Sequence, residues 1–451
     1  MKILITTFIL MLTLSCKGQP STLENTDIYL IVFESDDIGD IRFYLEINTY
    51  DNGKIDGGSI KNKYKENFNF LSRLKINWFS GIKNNRLIFL DGSYKDNGDF
   101  KTAFYSPLGN YYFTGKLDKN SIEGGVTTNK GVKKGTIRGK KLSENKLPKL
   151  SDYNKIVKKF CYSFENNFFN PVFIEKSKYL NFKDKLLRYS TKSIDDLHFV
   201  FSVFYYLRSL PYSHIAIWRD INNKEETTEY ENEVSYHLED NIGILDINSF
   251  TYDKKIIKEK FEEIFKDNPE GLIIDLRNNS GGSIGPAIEL SKFLVTSETS
   301  GGYFLSKSFY ESKTTKYDSC VVFSEGGLNL FMNAIEKNKC VEVKVSSGNV
   351  TFDKPIYIIV NKNTASTCEP IVYALKKQSN IFLVGERTAG KMLSSKKVEL
   401  IDDFYLFVPN ANYITTEKES IDQKGVVPEI LIDDNDDTLK KVKKLITKQN
   451  F

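Results

Sequence analysis

Two short apolar runs constrain this chain more than anything else in it, because each leads through a few small polar residues into helical spacing. The later run, Ile356-Tyr357-Ile358-Ile359-Val360, is too short for a helix and rich in β-branched residues, which predicts a buried strand. Asn361 to Thr367 are small or polar, and from Glu369 to Leu375 the apolar spacing is helical. Ser366 therefore falls at a strand-to-helix junction, at or near the first turn. Backbone amides are unpaired there and the local dipole favours negative charge, which suits an anionic nucleophile or an oxyanion. A serine so placed is most often a simple helix cap, so its company decides. The earlier run, Gly271-Leu272-Ile273-Ile274-Asp275-Leu276-Arg277, predicts a strand, with a tight turn over Asn278 to Ser283 and a helix over Ile284 to Val295. Gly281 and Gly282 carry no Cβ to cover their amides, so this turn could supply an oxyanion donor.

With both junctions in place, four motifs stand in order: D-L-R-N-N-S-G-G from Asp275, N-x-x-T-A-S-x-x-E from Asn361, G-E-R-T-A-G-K from Gly385, and K-G-V-V-P-E from Lys424. In order and spacing they resemble the tail-specific or C-terminal processing serine peptidases, a family that includes the tricorn core protease and the interphotoreceptor retinoid-binding proteins. The resemblance runs from about Leu150 to Asp433. It implies an α+β fold whose catalytic core is a crotonase-like spiral of ββα units, preceded by a helical segment and here by an N-terminal all-β domain. It also implies an exported serine endopeptidase acting on peptides or unfolded proteins. The alternative is an inactive relative that holds a peptide or hydrophobic ligand, since fold does not dictate function. Many tail-specific members carry a peptide-binding PDZ module, for which the short stretch between Trp218 and Asn241 leaves no room.

A serine hydroxyl needs a base within hydrogen-bond reach, and the resemblance offers two. Lys391, 25 residues after Ser366, matches the lysine base of the tail-specific branch, where burial would keep the amine neutral. His214, preceded by Ser213, matches the histidine base of the tricorn-like branch and needs no large shift to act near neutrality. Asp422 stands in the place of that branch's orienting acid. Glu369, three residues after Ser366, lies on the same helical side and could hydrogen-bond Lys391 or His214. The oxyanion would be held by the amide of Thr367 with that of Gly281 or Gly282. The context after Lys391, M-L-S-S with the apolar strand Phe404-Tyr405-Leu406-Phe407-Val408 further on, resembles the histidine branch more closely.

The remaining sequence divides into segments. Lys2, the apolar Ile3 to Leu14 and Ser15-Cys16 have the layout of a signal peptide over 1–15 with Cys16 as a lipidated terminus, hence a membrane-anchored lipoprotein, periplasmic or cell-surface, on a tether over 16–26. Residues 27–146 alternate apolar and polar between Asn-Gly and Asp-Gly turns, which predicts an antiparallel sandwich or barrel with an accessory role. A helical segment over 150–219, with a cap expected at Ser193, and a core over 234–440 complete the chain. A net charge of +4 on 451 residues, with no basic stripe, argues against nucleic acid. Cys320 and Cys340 lie in one polar segment of an exported chain and are expected to pair; Cys368 is expected to pack as an apolar residue beside Ser366. No Cys/His cluster has ligand spacing, so no metal and no cofactor is expected. The oligomeric state is not legible.

Overall fold

The computed structural model describes residues 21–35, 39–60, 87–106, 109–143, 147–221, 233–312, 317, 319–433 and 437–449. The signal peptide and Cys16 read from the sequence lie outside them. The described residues within 21–157, 186–203 and 218–221 form one compact unit, and those within 158–185, 204–217 and 233–449 the other. The segment 150–219, read as one helical piece of the core, is thus divided between the two.

In the first unit, β1 (Leu23–Glu34), β2 (Ile41–Tyr50), β3 (Lys54–Ser59), β4 (Ile88–Tyr94), β5 (Asp99–Ser106), β6 (Gly109–Leu117), β7 (Ser121–Thr128) and β8 (Lys133–Lys141) close into an antiparallel barrel. Each strand pairs with the next and β8 with β1. The alternation dictates this: Ile41, Phe43, Leu45 and Ile47 of β2 are buried while the turn Asp51-Asn52-Gly53 reverses the chain. Of the two architectures open to the sequence, closure leaves no strand edge unpaired. β1 begins at Leu23, inside the stretch read as tether.

Four helices follow: α1 (Tyr153–Asn167), α2 (Pro171–Ile174), α3 (Ser177–Ser190) and α4 (Asp196–Leu207), then the short β9 (Ala216–Arg219). The expected cap at Ser193 is not used. α4 starts at Asp196, and the Asp195 carboxylate accepts the His198 amide at 2.9 Å. Within the first unit Asp196 is fully buried and accepts from Arg42 Nε at 3.0 Å, Tyr153 Oη at 2.7 Å and Arg219 Nη1 at 2.5 Å.

The second unit holds two sheets arranged about one main core. The first sheet runs β10 (Val234–Glu239), β11 (Ile242–Ile247), β12 (Gly271–Asp275), β16 (Ile356–Val360), β17 (Ile381–Gly385), β20 (Ile430–Leu431), parallel from β11 onward. The second contains β14 (Val321–Phe323), β15 (Cys340–Val345), β13 (Thr299–Ser306), β19 (Phe404–Ile414) and β18 (Leu393–Glu399) in that order. Its helices are α5 (Lys255–Asp267), α6 (Ile284–Lys292), α7 (Lys307–Glu311), α8 (Leu328–Lys337), α9 (Cys368–Leu375) and α10 (Thr438–Gln449). A parallel strand covered on both faces reads as a continuous apolar run, and the period of two sorts it. Leu272, Ile274, Ile356, Ile358 and Val360 enter the main core, while Ile273, Tyr357 and Ile359 face Val442 and Ile446 of α10. Both strand-turn-helix junctions are present as expected, and Cys320 is bonded to Cys340. Among the described residues no helix is long and apolar enough to cross a membrane.

Asp196 is the shared acceptor of the first unit, on which the buried Arg219, the partly buried Arg42 and the Tyr153 hydroxyl converge. Asp196→Ala is expected to cost about 3–5 kcal/mol, read as a lower denaturant midpoint by tryptophan fluorescence, Trp218 falling in this unit.

Candidate active site

β12 and β16 are parallel neighbours, with Leu272 opposite Ile356 and Asp275 opposite Ile359, so their carboxyl ends release the two turns side by side. The crevice beyond those ends is where open α/β sheets bind ligands. The turns clasp each other through the motif residues. Asn361 Oδ1 accepts the Asn278 amide at 3.0 Å, Thr364 Oγ1 donates to the Leu276 carbonyl at 2.8 Å, and the Ala365 amide donates to the Asn279 carbonyl at 3.0 Å. Ser366 comes out of this clasp at φ 56°, left-handed for a residue with a Cβ, a conformation costing about 1–2 kcal/mol. Gly281, at φ 102°, lies against it: a Cβ there would stand 2.6 Å from Ser366 Cβ.

His214 reaches the serine from the segment after α4. Its Nε2 is 3.2 Å from Ser366 Oγ and its Nδ1 2.8 Å from Ser213 Oγ. Ser213 in turn donates to Asp422 Oδ1 at 2.5 Å, and its amide to Asp422 Oδ2 at 3.2 Å. Asp422 is therefore not against the imidazole, as the resemblance implied, but one hydroxyl away. The donor order that satisfies every group protonates Nδ1 towards Ser213 and leaves Nε2 with its lone pair towards Ser366. The segment is held by aromatic packing: Tyr212 meets Phe168, Phe169 and Phe173 edge-on at 4.9, 5.6 and 4.8 Å, and its hydroxyl accepts from Asn170 Nδ2 at 3.1 Å. His214 is itself left-handed, at φ 57°. Burial pushes the imidazole below its usual pKa; Asp422 opposes that shift and the Lys391 cation adds to it.

The other expected residues divide. Glu369 is fully buried, and burial raises its pKa. It binds neither the Lys391 amine nor His214: Oε1 accepts Thr388 Oγ1 at 2.6 Å and the Gly390 amide at 2.8 Å, and Oε2 the Lys391 amide at 2.8 Å. Lys391 contributes its backbone, since its carbonyl accepts the Ser366 amide at 3.0 Å while its side chain is exposed. The burial that would keep a lysine neutral is missing. Of the two glycines, Gly281 spends its amide on Asn279 Oδ1 at 2.8 Å. No partner among the described residues takes the amides of Gly282 and Thr367, and Thr367 Oγ1 donates to the Gly282 carbonyl at 2.7 Å, tying the two together. Cys368 is buried, as expected. Among the described residues no group of acidic, His and Cys side chains could hold a metal.

Two hollows meet at the dyad. An apolar cavity of about 280 Å³ opens past Ser366, Gly282 and Thr367 towards α6 and α9. A more open cleft runs the other way, past Ser213, His214, Gly390 and Lys391. Ser213 as a bridge was missed by the sequence reading, which used it only to mark His214; its one signal was the Ser-His adjacency.

Residues 241–432 match the model of peptidase family S41. The carboxy-terminal processing protease CtpA of Bacillus subtilis is 28% identical over 212 residues, 47% of this chain and 39% of that protein. The carboxyl-terminal-processing protease of Synechocystis is 23% identical over 193 residues, 43% of this chain and 38% of its own length. Among solved structures, the photosystem II D1 C-terminal processing protease aligns with a TM-score of 0.41 at 14% identity, over 63% of this chain and 94% of that one. The chain spans about two fifths of the length of these curated relatives.

Glu369→Ala deprives three donors, two of them buried, of their acceptor, an expected loss of about 3–5 kcal/mol. Hydrogen exchange at the Gly390 and Lys391 amides should speed up with it, whereas Glu369→Gln, which keeps an acceptor oxygen, should show the smaller loss.

Proposed function

We propose, from the premise that residues 241–432 form a core of peptidase family S41, that this chain is a serine-type endopeptidase in which Ser366 is the nucleophile and His214 its base. The observation that carries the reading is the unbroken series from Ser366 Oγ through both nitrogens of His214 and the Ser213 hydroxyl to Asp422. Ser366 Oγ attacks the peptide carbonyl carbon as His214 Nε2 takes its proton. The carbonyl oxygen, now negative, accepts from the Gly282 and Thr367 amides; losing one such donor typically costs about 3–4 kcal/mol. The imidazolium keeps Nδ1–H on Ser213, whose own proton points at the Asp422 carboxylate, so the developing charge is balanced across one hydroxyl. His214 then gives its proton to the leaving amine, which departs through the open cleft, and a water activated by the same nitrogen frees the acyl group from Ser366. Lys391 acts as a charge beside the base rather than as the base, and Glu369 as the acceptor that holds the 388–391 turn.

The two βα junctions on one parallel sheet, backed by a second sheet, support a crotonase-like spiral as the architecture of the core. Export, with a lipid anchor at Cys16 on a periplasmic or cell-surface protein, is supported by the Ile3 to Leu14 run and by a disulfide, which persists in oxidising compartments. The substrate is a peptide or unfolded protein. A second reading, a binder of apolar ligands without hydrolysis, is favoured only by the cavity beside Ser366.

Casein hydrolysis by the chain from Cys16 onward separates these. Ser366→Ala and His214→Ala should each lower turnover about 10⁴-fold or more, and activity surviving Ser366→Ala would sink the reading. A lowered imidazole pKa means His214 remains an unprotonated base down to below its usual 6.5, so the acid limb of kcat/KM should lie below that value. Lys391→Ala should keep turnover and move the limb to higher pH, because losing the cation makes the imidazolium easier to form.

A further inference from the structure

The cavity beside Ser366 has a chemistry and a construction that the proposed reaction does not require. Ala287 and Ile288 of α6, Ile371 and Ala374 of α9, Phe304 of β13 and Phe331 of α8 give it apolar walls. It opens beside the Gly282 and Thr367 amides, where the carbonyl oxygen of the scissile bond would lie, whereas the open cleft lies beside Gly390 and Lys391, and His214 stands between the two and lines both.

One wall is a helix on a looped-out segment. α8 enters after Gly326, at φ 128°, and Gly327, and leaves towards Cys340. Its Phe331 ring meets Phe304 at 4.9 Å and Phe323 at 5.1 Å. From the far side Ser394 Oγ lies 3.7 Å from Met332 Sδ, and Lys396 pairs with Glu336 at 2.9 Å. The helix thus bridges from β13 and β14 to β18 across the cavity. Its first turn exposes Leu328 and Leu330, 50% and 61% open to solvent, and Leu328 also lines the cavity. Cys320 and Cys340 close the base of this excursion where β14 meets β15, with Val321 opposite Val341. Without that bond the base would rest on the three residue pairs of β14 and β15.

Resting on the serine-peptidase reading above, we infer that the cavity selects a large apolar side chain, Leu, Met or Phe, on the acyl side of the scissile bond of an extended peptide, and that the Cys320–Cys340 disulfide is a positioning element that keeps α8 in place as its wall. A cavity lined this way rejects a charged side chain, which would lose its water without gaining a partner. A difference of a few methylenes buried in it is worth one to two orders of magnitude in kcat/KM.

The test uses the full chain and peptides differing only at the residue before the cleaved bond. Leu and Phe peptides should exceed the Ala peptide about tenfold or more in kcat/KM, with Glu and Lys peptides weakest, and Ala374→Phe, which fills the cavity, should reverse the order of Leu and Ala. The Cys320→Ser/Cys340→Ser double variant, or the wild-type chain treated with dithiothreitol, should raise KM for the Leu peptide about tenfold with little change in kcat. Cys161 and Cys368 are already free thiols, so the reductant has no other described bond to open. A small fluorophosphonate that reacts with Ser366 without entering the cavity is the control. Labelling at an undiminished rate with no preference among the peptides overturns the inference and leaves the peptidase reading standing. Failure of the wild-type chain to label overturns that reading itself. If the double variant does not fold, an unchanged KM on reversible reduction of the wild-type chain overturns the role of the disulfide.

Discussion

The site is built around a buried carboxylate. Glu369 sits with no exposure under the turn 388–391 and gathers Thr388, Gly390 and Lys391 onto its two oxygens. Because the turn is pulled down there, the Lys391 carbonyl meets the Ser366 amide and the next residue, Met392, gives its amide to Asp422 at 3.1 Å. Thr388 meanwhile takes the Val426 amide on its hydroxyl at 2.7 Å. One acceptor thereby ties the serine's turn, the 388–391 turn and the terminal motif into a single construction. Burying a charge is unfavourable unless it is hydrogen-bonded, and the rise that burial imposes on the Glu369 pKa is opposed by those same donors.

What this scaffold holds is strain in the two residues proposed to react. Ser366 and His214 both take left-handed backbones, at φ 56° and 57°, and neither has the freedom of glycine. Such conformations persist where the surroundings over-determine them, and they cluster at functional sites. For Ser366 the surroundings are the clasped turns after β12 and β16 and the cleared space over Gly281. For His214 they are the aromatic group around Tyr212 on one side and Ser213 bound twice to Asp422 on the other. The two atoms proposed to react meet because two separately strained segments are each locked from behind.

Much of this was legible from residues whose local requirement is sharp. The strand Ile356–Val360, the junctions carrying Ser366 and Gly281-Gly282, the alternating barrel strands and the Cys320–Cys340 pair all follow from period, turn chemistry or segment polarity. What was not legible depends on where a side chain points once the turns close. Glu369 and Lys391 were expected to meet through the amine, and they meet through the amide, because an acceptor buried at the third position of a helix is surrounded by backbone before it can reach a flexible side chain. Gly281 and Gly282 were interchangeable in sequence; only the Asn279 side chain, by taking one amide, distinguishes them. The barrel rather than a sandwich is likewise a matter of whether β8 returns to β1, which no single strand encodes.

The choice between a histidine and a lysine base reduces to desolvation. A lysine must lose its proton some three units below its usual pKa to act near neutrality, and burial is what supplies such a shift. Lys391 is exposed to solvent, so the apolar cover that such a shift requires is not there. A histidine needs the opposite help, enough apolar cover to stay neutral and one carboxylate to steady it once charged. Burial and the Lys391 cation lower the His214 pKa, and Asp422 raises it again through the Ser213 hydroxyl's neighbourhood. The interposed serine moderates that pull, since a carboxylate directly against Nδ1 would interact more strongly than one set a hydroxyl away. On the proposed reading the base is thereby left neutral before the reaction and stabilised after it, with Lys391 acting in the balance as a charge.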